Sequence, residues 1–139
     1  MAKSGGTIEI SNCFNIGKIT KTGDAFKNIG GILGQNIANT NINNCYNIAT
    51  FVQGHSTNSI GGIVGKNTGT VTLNKCYYLK SEYIAKAVAG VADETGQVTA
   101  CNEISEITAD ILNDNINNIE HSDEWKKWKI AEEEYPIFE

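Results

Sequence analysis

The chain contains no arginine, a single proline at Pro136, and no glycine beyond Gly96. Arginine supplies the planar fork best suited to phosphates and base edges, so its absence, with a formal net charge of −5, argues against nucleic-acid recognition. No run is apolar enough to cross a bilayer as a helix, so membrane insertion is not expected. Met1-Ala2-Lys3-Ser4-Gly5-Gly6 has no hydrophobic signal core. Gly5 and Gly6 already lead into repeat-like sequence, and the chain reads as a piece of a longer protein. No Cys-x-x-Cys pair is present, which removes support for a zinc ribbon.

What is present divides the chain in two. All 14 glycines lie at or before Gly96, and residues 1–102 carry eight lysines against five acids. Residues 103–139 carry three lysines against eleven acids. The boundaries that follow are a repeat region over 5–102 and a C-terminal capping segment over 103–139. A chain of 139 residues is long enough to bury a core without disulfides.

An internal period appears in the first part. From Ile29 the chain reads IGGILGQNIANTNINNCYNIA, and from Ile60 it reads IGGIVGKNTGTVTLNKCYYLK, an offset of 31 residues. Gly34, Gly65 and Gly90 each precede a cysteine by eleven residues. Cys13, Cys45, Cys76 and Cys101 therefore index four copies, and each has an apolar residue three positions earlier, at Ile10, Ile42, Leu73 and Val98. Ile8 and Val71 extend the alternation of a strand with one buried face. A shorter strand is expected at Gly31-Ile32-Leu33-Gly34, at Gly62-Ile63-Val64-Gly65 and at Ala87-Val88-Ala89-Gly90. Lys18-Ile19-Thr20, Phe51-Val52 and Tyr83-Ile84 give a third apolar patch.

Short strands repeated in register predict an all-β fold, a β-solenoid of the parallel β-helix kind, in which each coil buries its apolar face only against its neighbours. A sandwich of hairpins, with each repeat folded back on itself, is the rival arrangement. These residues resemble the GLUG repeat of large bacterial surface proteins. The likeness rests on Gly31-Ile32-Leu33-Gly34-Gln35-Asn36, Gly62-Ile63-Val64-Gly65-Lys66-Asn67 and Asn44-Cys45-Tyr46-Asn47, with Asn12-Cys13-Phe14-Asn15 and Lys75-Cys76-Tyr77-Tyr78 as weaker partners. It covers about residues 5–101. Tyr78 stands where asparagine is expected, and Asn102 where an aromatic is expected. The resemblance implies a repeat scaffold at the cell surface or outside the cell, without catalytic activity of its own. It names no partner beyond an unidentified protein or glycan.

The tail is expected to cover the open end of the last coil, whose unpaired edge would otherwise invite aggregation. Ile104, Ile107, Ile111, Leu112, Ile116 and Ile119 recur at helical spacing, and Ser122-Asp123-Glu124 resembles a second helix start. Trp125 and Trp128 supply a lid, and Tyr135-Pro136-Ile137-Phe138 a final edge strand.

The chemistry is sparse. The cysteines fit a row of small buried thiols, with disulfides or a metal site as alternatives. His55 and His121 lack neighbours at ligand spacing and are expected on the surface, and the glycine clusters lack the ending of a phosphate loop. The repeat acids Glu9, Asp24, Glu82, Asp93 and Glu94 do not recur at one register, as a paired-carboxylate site would need. Thr40, Thr70, Thr72, Asn36 and Asn67 suggest outward polar ladders. No cofactor, metal or enzymatic site is expected. A stalk or adhesive module is the leading function, and a carbohydrate-binding or carbohydrate-processing module the alternative, with Tyr46 and Tyr77 as the possible ligand face.

Overall fold

The computed structural model describes residues 6–20, 28–52, 60–84, 86–89, 96–121, 123–132 and 135–139. Gly90, His55, Asp24, Asp93, Glu94, Ser122, Glu133 and Glu134 lie outside them. The fold is all-β with little helix. The first repeat supplies β1 (Thr7–Ser11), β2 (Phe14–Asn15), β3 (Lys18–Thr20) and β4 (Ile29–Gly30). The second supplies β5 (Asn39–Asn43), β6 (Tyr46–Asn47), β7 (Thr50–Val52) and β8 (Ile60–Val64). β9 (Thr70–Leu79) and β10 (Lys86–Val88) form the third, and β11 (Gly96–Cys101) follows.

Each strand pairs with its counterpart in the next repeat. Thr7 lies opposite Asn39 and Asn39 opposite Thr70, offsets of 32 and then 31 residues. Phe14 lies opposite Tyr46 and Tyr46 opposite Tyr77, while Lys18 faces Thr50 and Ile29 faces Ile60. All of these pairings are parallel. The hairpin arrangement is not adopted by these strands. The antiparallel pairs among the described residues are the isolated bridge Ser81–Ile84 and the tail pair of β12 (Trp128–Ile130) with β13 (Pro136–Phe138). Tyr83-Ile84 thus sits in a turn, whereas the matching Lys18-Ile19-Thr20 and Phe51-Val52 form β3 and β7.

One backbone feature explains the three-residue spacing between apolar residue and cysteine. Asn12, Asn44 and Lys75 adopt positive φ of 54°, 50° and 55°. Strict alternation would turn the residue three positions after an inward one to the outside. A left-handed residue between them resets the alternation, so Ile42 and Cys45 both face the core, as do Leu73 and Cys76. Asparagine tolerates this conformation better than most side chains do. The fourth copy has no such residue. β11 shifts register between Gln97 and Val98, which puts Val98 opposite Cys76 and Cys101 opposite Leu79. Cys101 is therefore not the fourth rung of the cysteine row, contrary to the spacing-based expectation.

The interior stacks rows of equivalent residues: Ile10, Ile42 and Leu73, then Cys13, Cys45 and Cys76, then Ile29, Ile60 and, from other positions, Ile63, Val64 and Val88. A further row holds Asn15, Asn47 and Tyr78. Asn15 Nδ2 donates to Gly31 O (2.8 Å) and Asn47 Nδ2 to Gly62 O (2.9 Å). This row accounts for two of the repeat glycines. A Cβ on Gly31 would lie 2.1 Å from the Asn47 amide, and one on Gly62 would lie 2.4 Å from the Tyr78 ring. Gly65 is equally crowded by Ile29, whereas a Cβ on Gly34 would meet nothing closer than 3.3 Å. Tyr78, a departure from the repeat, simply fills the place that asparagine holds in the earlier copies.

The tail does not close the end of the stack; it lies along the side. With each cysteine turned inward, the next residue points out, and Phe14, Tyr46 and Tyr77 make an outward apolar row. Ile107, Leu112, Ile116 and Trp128 pack on that row, together with Ile48 and Cys101. The helix expected over 104–119 forms only in part, as α1 (Ala109–Asn118), capped where Thr108 Oγ1 accepts from Ile111 N (3.2 Å). Ile104 lies in a separate 3-10 turn, and Ile107 and Ile119 are extended. No second helix follows among the described residues, since Asp123 and Glu124 form a turn leading to β12. The physical reason for the side position is that Phe14, Tyr46 and Tyr77 turn a continuous apolar row outward, and covering it with Trp128 and the tail isoleucines removes that surface from water.

Candidate functional site

The clasp between tail and repeats is a buried polar chain. Asn44 Nδ2 donates to Asn12 Oδ1 (2.9 Å) and to Leu112 O (3.1 Å), and Asn44 Oδ1 accepts from Asn115 Nδ2 (3.1 Å). Asn115 Nδ2 also reaches the Tyr77 hydroxyl (3.0 Å). At the other end Trp128 Nε1 donates to Asn12 Oδ1 (2.8 Å), and Asn12 Nδ2 donates to Lys126 O (2.9 Å). The same asparagines that take the left-handed conformation therefore satisfy the tail's buried polar groups. Lys75 breaks the ladder at the third repeat, where Asn115 and Tyr77 take over.

Tyr46 and Tyr77 do not form an exposed ligand face. Tyr46 is fully buried, its hydroxyl donates to the Pro136 carbonyl, and its ring stacks on Phe14 with centroids 5.5 Å apart. Burial raises both phenols above the ordinary range. Trp128, 2 % exposed, wedges between Phe14, Tyr46 and Phe138, with centroids 5.6, 5.5 and 4.4 Å away. These aromatics hold the tail in place and are closed to a ligand.

The cysteines are thiols rather than disulfides. Cys45 lies between its two equivalents, and Cys13 N donates to Cys45 Sγ (3.4 Å). A hydrogen bond from the Cys45 thiol, against the opposing effect of burial, lowers the half-buried Cys13 to about 7. Cys45 itself is raised, through its contacts with Cys13 and Cys76 and through burial. Cys101, on the tail side, is pushed up to about 11 by burial and by Glu106. Among the described residues no group of three histidine, cysteine or acidic side chains is placed to hold a metal.

The outward face of β1, β5 and β9 is flat and polar. Register puts Thr7, Asn39 and Thr70 in one row, Glu9, Asn41 and Thr72 in the next, and Ser11, Asn43 and Asn74 in a third. Of the expected outward ladders, Thr70 and Thr72 lie here, but Thr40 and Asn36 turn inward. Thr40 Oγ1 donates to Asn36 Oδ1 (2.8 Å) in a buried bond, and Asn36 Nδ2 donates to the half-buried Asn67 Oδ1 (2.8 Å). On the face itself the Glu9 carboxylate accepts from Asn41 Nδ2 (2.6 Å) and Asn43 Nδ2 (3.1 Å), and Asn43 Nδ2 also reaches Ser11 Oγ (3.3 Å).

Where this face meets the tail there are two adjoining depressions. One, of about 470 Å³, is lined by Ser11, Asn12, Glu124, Trp125, Lys126 and Phe138. The other, of about 390 Å³, is lined by Glu9, Ser11, Asn43, Glu120, His121 and Trp125. Ser11 and Trp125 border both. The His121 and Trp125 rings stack at 5.0 Å, with planes 19° apart. His121 is exposed, as its polar surroundings suggested, yet it extends an aromatic surface. This groove was missed in the sequence because its walls come from distant parts of the chain, Glu9, Ser11 and Asn43 on one side and Glu120, Trp125 and Phe138 on the other. The signal available was only that Trp125 and Trp128, three apart, cannot both face one way on an extended strand.

Comparison with protein-family models, with characterised proteins and with solved structures finds no match to this chain. No helix among the described residues is long and apolar enough to cross a membrane.

Proposed function

We propose that the chain is a β-solenoid scaffold with coils of about 31 residues, serving as a non-catalytic structural and adhesive module of a bacterial surface or secreted protein. The observation that carries this reading is the unbroken parallel register of three repeats, with Thr7, Asn39 and Thr70 standing in line and the matching rows inside. Parallel stacking without intervening helices leaves each repeat dependent on its neighbours for a core, which is the logic of a rod. Asparagine pairs between neighbouring repeats support it further, with Asn36 bonded to Asn67 and Asn44 to Asn12. The resemblance to GLUG repeats supplies the compartment and the stalk or adhesive role.

Two measurements test the proposal. Nuclear Overhauser contacts in the parallel pattern are expected between residues 39–43 and 70–74, and an antiparallel pattern refutes the architecture. An antibody against the chain is expected to label intact, unpermeabilised cells that produce the parent protein. Labelling only after permeabilisation refutes the compartment, and release of reducing sugar from a polysaccharide by the isolated chain refutes the non-catalytic role.

A further inference from the structure

We infer that the groove beside Trp125, continued onto the polar face of β1 and β5, is a binding site for a neutral or N-acetylated hexopyranose chain. A pyranose ring presents an apolar C–H face edged by hydroxyls. It is held by an aromatic plane for that face and by planar polar side chains for the hydroxyls. Both lie at this one place. Trp125 is half-buried against the tail cluster with the exposed His121 ring stacked on it, and the aromatic pair borders the depressions.

Next to it, Glu9, Ser11 and Asn43 already bond one another, which holds acceptor and donor groups in position before a ligand arrives and reduces the ordering cost of binding. The strands bring an equivalent row every ~4.8 Å, close to the length of one sugar ring, so Asn39, Asn41 and Thr72 continue the same surface. The two depressions, about 470 and 390 Å³, have the size of small-ligand sites. Glu9, Glu120 and Glu124 line the groove against Lys126 alone, so like-charge repulsion disfavours uronic or sulfated chains. The buried Tyr46 and Tyr77 take no part.

The test is isothermal titration calorimetry of the whole chain with cellotetraose, chitotetraose, tetragalacturonate and the deacetylated chitosan tetramer. At least one of the two neutral probes is expected to bind with Kd of roughly 0.1–1 mM, and tetragalacturonate not at all. Trp125→Ala is expected to weaken binding by at least about tenfold, as removal of a central aromatic anchor does. Asn43→Ala, on the exposed face, is expected to weaken it by about tenfold, the worth of a hydrogen bond or two. Emission from the buried Trp128 reports whether each variant is folded, and the Asn43 variant decides if the Trp125 variant is not. The inference is overturned if neither neutral probe binds at about 10 mM, or if both folded variants bind as wild type does. It is also overturned if only the cationic tetramer binds and high salt abolishes that binding.

Discussion

Asn44→Ala is the substitution that bears most directly on how the tail is fastened. Asn44 is fully buried, adopts φ of 50°, and joins Asn12, Leu112 and Asn115 through three side-chain hydrogen bonds. Each bond contributes about 0.5–1.5 kcal/mol net. The partners are not all orphaned, because Asn12 Oδ1 keeps Trp128 Nε1 and Asn115 keeps the Tyr77 hydroxyl. Alanine in the left-handed region adds about 1 kcal/mol of strain. The total comes to about 3–5 kcal/mol, a large part of the ~5–15 kcal/mol that holds a domain folded. At ~3 °C per kcal/mol for a chain of this size, the melting temperature should fall by about 10–15 °C.

Asn44→Gly separates the two contributions. It loses the same hydrogen bonds but accepts the positive φ, and after the entropy glycine loses on folding it should exceed the alanine variant by about 0.5–1 kcal/mol. Lys75→Gly is the control for conformation alone, since Lys75 has the same backbone, φ 55°, without the ladder. It should gain a similar amount in urea unfolding. A loss below about 1.5 kcal/mol for Asn44→Ala, less than two average hydrogen bonds, refutes the clasp. Equal stability of the alanine and glycine variants refutes the backbone argument.

Gly62→Ala should cost about 1–3 kcal/mol, the usual range for overpacking, because its Cβ would meet the Tyr78 ring at 2.4 Å. Gly34→Ala, at the last glycine of the first cluster and with no neighbour nearer than 3.3 Å, should stay within about 0.5 kcal/mol in the same thermal melts. Cys13 should be the first thiol alkylated under native conditions, at a rate that rises with pH and levels off above about 7. Peptide mapping that finds Cys101, pushed up to about 11, labelled earlier would contradict this order. Glu106 accepts backbone N–H groups of Glu103 and Asn102, which lower its pKa below the usual 4.5. Its contribution to stability is present above that value and is lost as the pH falls through the lower folded value. Glu106→Gln should therefore flatten the acid limb of stability against pH and leave the neutral plateau's slope unchanged.

How much of this was legible in the sequence turns on one residue per repeat. The offset of 31 between the IGGILG and IGGIVG segments gives the length of the repeat but leaves stacking and folded-back hairpins both open, and the parallel pairing of Ile29 with Ile60 and of Asn39 with Thr70 decides between them. The cysteine position was legible too, but its cause was not. An apolar residue three positions before a cysteine does not fit period 2, and the residue just before the cysteine, Asn12, Asn44 or Lys75, makes the spacing work by taking positive φ. That condition sets Cys101 apart from the row: Ala100 before it does not take positive φ, and β11 shifts register between Gln97 and Val98 instead. The same condition also decides where the tail goes. If the cysteine faces in, the aromatic after it faces out, and Phe14, Tyr46 and Tyr77 become a surface that something must cover. The only long apolar pattern left in the chain is the isoleucine and tryptophan series from Ile104 to Trp128, so the side position follows from the left-handed asparagine. What no local pattern contains is the meeting of Ser11 with Trp125. They border the same groove because the tail, drawn down the aromatic row, returns to the first repeat, where Trp128 reaches Asn12 and leaves Trp125 beside the polar face.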